Sequence, residues 1–173
     1  MSFGSAAELA ERYAKRFDEV RSRALKSVTR SQAITFDSIY ELLTGVSSVV
    51  KVLATLEGSL GSEIGSKKVC GNAVFVRSQD STIFMRLKPL RAVTYSASQG
   101  LLRLTFERVS VEVTSDSITV TLGRISQKIP YTDPADVANN ASMYRAVVGK
   151  ALPVTGELMT AVVSCAKAAG VRL

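Results

Sequence analysis

At 173 residues, 46% of them hydrophobic and 21% charged, the chain has the length and composition of one globular domain with its own core. It contains no histidine, which excludes Ser-His-Asp and Cys-His catalysis and histidine-ligated metals together. The net charge of +7 is unevenly spread, with +3 over residues 1–31, −3 over 32–66, +6 over 67–130 and +1 over 131–173.

The opening MSFGSAAELAER is polar and charged, without a signal-peptide pattern. Ser5-Ala-Ala-Glu8 has capping-box spacing and predicts a helix start. Ala6, Leu9, Ala10, Tyr13, Phe17, Val20 and Ala24 then form one apolar stripe, to about residue 28. Arg12, Arg16, Arg23, Lys26 and Arg30 fall on a second face, either as a phosphate-binding ridge or as a solvated face. The pairs Glu8–Arg12, Glu11–Lys15 and Glu19–Arg23 favour the solvated face.

Ser38-Ile-Tyr-Glu41 offers a second capping box, and Ile39, Leu42, Leu43, Val46, Val49, Val50, Leu53, Leu56 and Leu60 follow at near-heptad spacing. Residues 1–60 read as an antiparallel helical hairpin. Only Lys51 is charged between Leu42 and Leu56, so the second helix must be buried on more than one side. Leu42, Val46, Val49, Leu53 and Leu56 are therefore candidates for a homo-oligomer or protein-partner interface. Lys51 also interrupts the best apolar run of about 18 residues, so no membrane span is expected and a cytoplasmic protein is the default. A Gly/Ser connector at 61–67 separates the hairpin from the sheet and C-terminal helix, residues 68–173.

Strands are predicted at about 69–77, 82–88 and 91–97, followed by a unit covering 101–129. Folded about Ser115-Asp116, that unit sets Val113 against Ile118, Val111 against Val120, Val109 against Leu122, Phe106 against Ile125 and Leu102 against Ile129. On the other face Thr114 meets Ser117, Glu112 meets Thr119, Ser110 meets Thr121 and Thr105 meets Ser126; Leu104 against Gln127 is the one mismatch, on the apolar face. Both halves shift parity at opposed positions, Glu107-Arg108 and Gly123-Arg124. Two long strands sharing a bend, or four short strands with tight turns, satisfy this pattern. Gly-Arg suits a type II′ turn but Glu-Arg suits no primed turn, so the bent hairpin is preferred.

Pro130 ends the sheet, and Asp133-Pro134 places an N-cap and a proline at N1 of a helix running to about Ala169, with Pro153 as a kink and Gly170 as the stop. Val137, Met143, Tyr144, Val147, Val148, Leu152, Leu158, Met159, Val162, Cys165 and Ala166 form its inner stripe. The fold class is α+β: an N-terminal helical hairpin, a curved antiparallel meander of about four long or seven short strands, and a long kinked helix packed on the sheet.

Little in the chain points to chemistry. Cys70 and Cys165 lack CxxC spacing and read as two small buried thiols rather than a disulfide framework. Gly149-Lys150 lacks the earlier glycine and following Ser/Thr of a phosphate loop. Asp133 and Asp136 suit a helix N-terminus rather than a metal, and Asn140-Ala-Ser142 is a sequon inside a predicted helix. No enzyme, cofactor or metal site is expected.

The sheet's polar face carries the most specific hint. In the bent hairpin Arg103 lies opposite Lys128, a like-charge pair that an anion would relieve, whereas Glu107 and Arg124 satisfy each other. Arg86 and Lys88 share a face with Phe84, an exposed aromatic in this reading and a candidate stacking group. Basic residues, threonines and one aromatic resemble generic single-strand or RNA platforms, although the RNP-type motif is absent. The expected function is therefore non-enzymatic binding of a polyanion, nucleic acid, through Arg86, Lys88, Arg103, Arg124, Lys128 and Phe84. Two alternatives follow from architecture: a carrier resembling helix-grip proteins, with an apolar cavity under the helix, or an assembly protein that exposes its second helix.

Overall fold

The computed structural model describes residues 2–61, 64–65 and 67–173. Within the Gly/Ser connector, Ser62, Glu63 and Ser66 lie outside the described residues. The chain runs α1 (Phe3–Ala24), α2 (Arg30–Leu60), β1 (Lys67–Cys70), β2 (Ala73–Arg77), β3 (Ser81–Arg86), β4 (Arg91–Ser96), β5 (Leu101–Phe106), β6 (Val109–Val113), β7 (Ile118–Leu122), β8 (Ile125–Ile129), α3 (Pro134–Asn139) and α4 (Ala141–Ala169). The strands form one 8-stranded antiparallel meander in strict chain order. The α+β class, with two helices packed together, a meander and a long C-terminal helix on the sheet, is as expected.

Both N-terminal helices begin earlier than their expected capping boxes. Ser2 caps α1 by accepting from the Ser5 N–H at 3.2 Å. Phe3 is fully buried, and its N–H donates to Glu57 Oε1 at 3.1 Å. This tertiary anchor carries the helix upstream of Ser5. For α2 the cap is Thr29, which accepts from the Gln32 N–H while the Gln32 side chain accepts from the Thr29 N–H. Ser38 instead lies mid-helix and donates back to the Ile34 carbonyl at 2.9 Å. Of the three pairs expected along α1, Glu11–Lys15 forms an ion pair, at 3.7 Å and largely solvated.

Helix α2 packs against both α1 and α4. Leu42, Val46, Val49, Leu53 and Leu56 are at most 1% exposed inside the chain's own core, so they offer no surface to a partner. Intramolecular burial on two sides accounts for the helix being apolar beyond one stripe. By length and composition alone α2 and α4 are each long and apolar enough to cross a membrane; half of the α2 stretch is core.

The unit 101–129 is four short strands, not a bent hairpin. The β6–β7 register is the expected one, Val113↔Ile118, Val111↔Val120 and Val109↔Leu122. Leu102, however, pairs with Val113 and Phe106 with Val109, while Ile118 pairs with Ile129 and Leu122 with Ile125. Both parity shifts are turns. Gly123 adopts φ +66° and Glu107 φ +54°, the positive φ that a primed turn needs at its first central residue. Likewise the strand expected at 69–77 is β1 and β2, broken at Gly71 (φ +56°).

The C-terminal helix is also divided, because Asn140 leaves helical geometry at φ −118°, ψ 24°. Asp133 caps α3 as expected, and Gly170 ends α4 in the left-handed conformation. Helix α4 crosses the core face of the sheet, touching β1 and β4 to β7. One continuous core joins the three long helices to that face, with Phe3 on Phe75 (6.0 Å), Phe75 on Phe84 (5.2 Å) and Phe17 on Tyr131 (5.6 Å) between ring centres.

The cysteines correct a further expectation. Cys70, on the core face at the end of β1, is joined by a disulfide to Cys165 in α4, with Cα atoms 5.1 Å apart. The crossing of α4 over the sheet edge creates this proximity, and it has no signature in the linear spacing.

Candidate polyanion-binding surface

In a meander, alternate turns lie at the same end of the sheet. One end therefore collects the β2–β3, β4–β5 and β6–β7 turns, which carry Asp80 and Asp116 and no cation. The opposite end collects Gly71-Asn72, residues 87–90, Glu107-Arg108 and Gly123-Arg124. It presents Lys88, Arg108 and Arg124 in turns and Arg86 and Arg91 at strand ends, against Glu107. The last three of these turns are tied in series: the Glu107 N–H donates to the Leu90 carbonyl at 2.8 Å and the Gly123 N–H to the Arg108 carbonyl at 2.9 Å. The result is a continuous basic edge. Lys88, Arg108 and Arg124 form no ion pair with any described residue.

The expected site residues divide between three places. Lys88 and Arg124 sit in turns of the basic end. Arg103 and Lys128 lie on the solvent face in one row, Arg103↔Glu112↔Thr119↔Lys128, three strand spacings or about 14 Å apart. They are not opposed, and Arg103 is ion-paired to Glu112 at 2.6 Å. The like-charge relief expected between them therefore does not arise, because β5 pairs with β6 instead of β8. Arg86 lies on the core face at the end of β3, half-buried.

Phe84 is not a stacking group. It is 0% exposed and packs on Phe75 under the helices. Period-two alternation does place it on one face with Arg86, but that face is the core. The sequence pattern specified the shared face without specifying which way it points.

Two cations went unrecognised in the sequence. Arg108 joins the basic edge once Glu107-Arg108 is a turn. Arg91 is directly opposite Arg86, so a like-charge pair does exist in this sheet, at the β3–β4 hairpin. Arg91 is compensated by Glu157 at 3.1 Å and by the Phe106 ring, 5.4 Å from its guanidinium carbon.

The solvent face beside the edge is hydroxyl-rich. Thr105, Ser110, Thr121 and Ser126 form one row across β5 to β8, with Thr121 and Ser126 hydroxyls 2.9 Å apart. A groove of about 410 Å³ runs over this face from Arg103 and Glu112 to Glu107, Arg108 and Gly123 at the basic edge. Among the described residues no group of three or more His, Cys, Asp or Glu could hold a metal. On the core face of the sheet, Phe84, Val93, Leu102, Leu104, Val111 and Val120 are at most 1% exposed, so bulky side chains fill the space that a carrier would keep open. Comparison with protein families, with curated proteins and with solved structures finds no match.

Proposed function

We propose that the protein binds a polyanion without catalysis, and that the polyanion is a nucleic acid strand laid along the basic end of the sheet. The observation that carries this is the series-bonded row of turns holding Lys88, Arg108 and Arg124 without an ion pair to any described residue. Alternate turns of a meander are two strand spacings apart, about 10 Å, so the three cations span roughly 20 Å. At about 3.4 Å per stacked nucleotide this is the length of roughly six nucleotides. Arg103 and Lys128, with the threonine and serine hydroxyls, extend the surface over the solvent face. Cations and hydroxyls of this kind contact phosphate and sugar, so binding is largely independent of sequence.

Fluorescence anisotropy of labelled single- and double-stranded oligonucleotides tests the reading. With three to five phosphate contacts on a single strand, affinity falls roughly 20- to 100-fold between about 50 and 200 mM salt. No binding at the lower salt sinks the proposal.

A further inference from the structure

We infer a second binding site, an oxyanion socket of the phosphate class where β1, β3 and α4 meet, with Arg86 as its cation. Arg86 stands directly opposite Arg91 on the core face, and only Arg91 is neutralised, by Glu157. Arg86 thus carries the uncompensated charge of the pair. Its Nε is buried and has no hydrogen-bond partner among the described residues. The Arg91 Nε is likewise unpartnered, but that guanidinium is held by Glu157 through its other end, whereas no part of the Arg86 guanidinium has a described partner. Buried donors in folded proteins are paired with few exceptions, so an orphan on a guanidinium points to a ligand.

Arg86 lines a partly enclosed cavity of about 110 Å³, together with Asn72, Ala73, Ser164 and the Cys70–Cys165 disulfide. That volume accommodates a tetrahedral oxyanion or several waters. No carboxylate lines it, so an anion meets no repulsion, and Asn72 and Ser164 are residues with neutral donors. The planar guanidinium fork matches two oxygens of a phosphate. Gly71 closes the β1–β2 side: a Cβ there would stand 3.2 Å from the Ala168 Cβ, so the turn lies tight against α4. The disulfide forms a fixed wall between strand and helix.

The phosphate could be the free ion or the terminal phosphate of a strand on the basic end, where Arg86 also lies. Only the second source rests on the function proposed above. Thermal unfolding is followed in inorganic phosphate and in chloride of equal ionic strength. At a hundredfold excess over Kd, phosphate raises Tm by roughly 5–10 °C in the wild type. It leaves Arg86→Met unshifted, and likewise Ser164→Leu, which fills the mouth from an exposed helical position and keeps the arginine. An equal rise in Arg86→Met, or none in the wild type, overturns the socket. Anisotropy with 5′-phosphorylated and 5′-hydroxyl oligonucleotides then identifies the source. Roughly tenfold tighter binding of the phosphorylated strand, lost in Arg86→Met, supports a strand end; equal affinities with the Tm rise intact support the free ion. A Tm rise without any oligonucleotide binding supports the socket and defeats only the basic-end reading.

Discussion

The two sets of turns in this sheet are built on opposite plans. At the Asp80 and Asp116 end the polar side chains close on their own turns. Asp80 accepts from the Ser98 N–H, the Ser98 hydroxyl and the Ser96 hydroxyl, which hold its carboxyl below the usual range. Thr114 Oγ accepts from the Ser117 N–H. Two tyrosines buttress that end, Tyr13 donating to the Gly100 carbonyl at 3.0 Å and Tyr131 to the Thr114 carbonyl at 2.6 Å. At the basic end the turn cations bond to nothing described. The two non-glycine residues with positive φ among those described, Lys88 at 61° and Glu107 at 54°, are both there. Local sequence and fold agree at one end and conflict at the other, and such conflicts concentrate where a surface serves something besides folding.

Removing the disulfide should produce the largest change. Cys70 and Cys165 are 95 residues apart, so the bridge restrains a long unfolded loop, and Cys165→Ser costs about 2–5 kcal/mol by denaturant unfolding. Cys70 sits at the basic end. Amide exchange should therefore quicken first around Gly71 and Arg86, with protection near Gly100 and Ser117 retained. Equal loosening at both ends would make the bridge a global staple and erase the contrast.

Neutralising the basic edge comes next. Lys88→Ala/Arg108→Ala/Arg124→Ala should weaken single-strand binding roughly 100-fold near 0.1 M salt and flatten the salt slope by about 2. These side chains are exposed and unpaired, so stability should move by no more than about 0.5 kcal/mol. Asp80→Asn/Asp116→Asn adds the same kind of charge at the other end and should leave affinity within about threefold, as screening over the sheet's length requires. Comparable effects from both variants would mean that net charge, not the edge, drives binding.

Alkaline pH should act on the buttressed end. Burial raises the Tyr131 phenol above its ordinary value. Burial, then the hydrogen bond to Asp136, pushes Tyr144 up to about 12. Unfolded tyrosine ionises near pH 10 while these folded phenols stay protonated, so their contribution is complete below about pH 10 and declines as pH rises above it, that of Tyr144 being lost by about 12. The slope is at most about 1.4 kcal/mol per pH unit for each residue. Urea midpoints from pH 8 to 11.5 should fall more steeply for the wild type than for Tyr131→Phe, which has no phenol to ionise. Parallel profiles would show that the phenol does not govern the decline.

How much of this was legible follows the same division. The β6–β7 pairing could be read because Val109, Val111 and Val113 match Leu122, Val120 and Ile118 about a turn of ordinary turn residues. The turn at Glu107-Arg108 could not, since glutamate is a poor choice for positive φ and the conformation is imposed by the ladder on either side. Without that turn the sequence pattern hides Arg108 as an edge residue and sets Arg103 against β8 instead of β6. The capping box at Thr29 and Gln32 was in the sequence, but Ser38 and Glu41 repeat the spacing nine residues later. Only the burial of Phe36 and the Ile39 register within a longer helix distinguishes them. The disulfide and the Arg86 cavity depend on where α4 passes the β1 edge of the sheet, which no local pattern encodes.

The smallest expected effect probes the conflict directly. If Glu107 is held in positive φ against its preference, Glu107→Gly should stabilise the chain, by about 0.5–1 kcal/mol after allowing for the greater freedom of glycine in the unfolded state. Gly123→Ala, in the equivalent turn, should lose about as much, because alanine pays the left-handed penalty there. Glu107 is also the only acidic residue in the basic-end turns, so its removal should tighten oligonucleotide binding severalfold. A variant more stable and tighter-binding at once would tie the backbone conflict and the charge pattern to one surface. A stabilised variant with unchanged affinity would place the polyanion elsewhere on the sheet, on the row from Arg103 to Lys128.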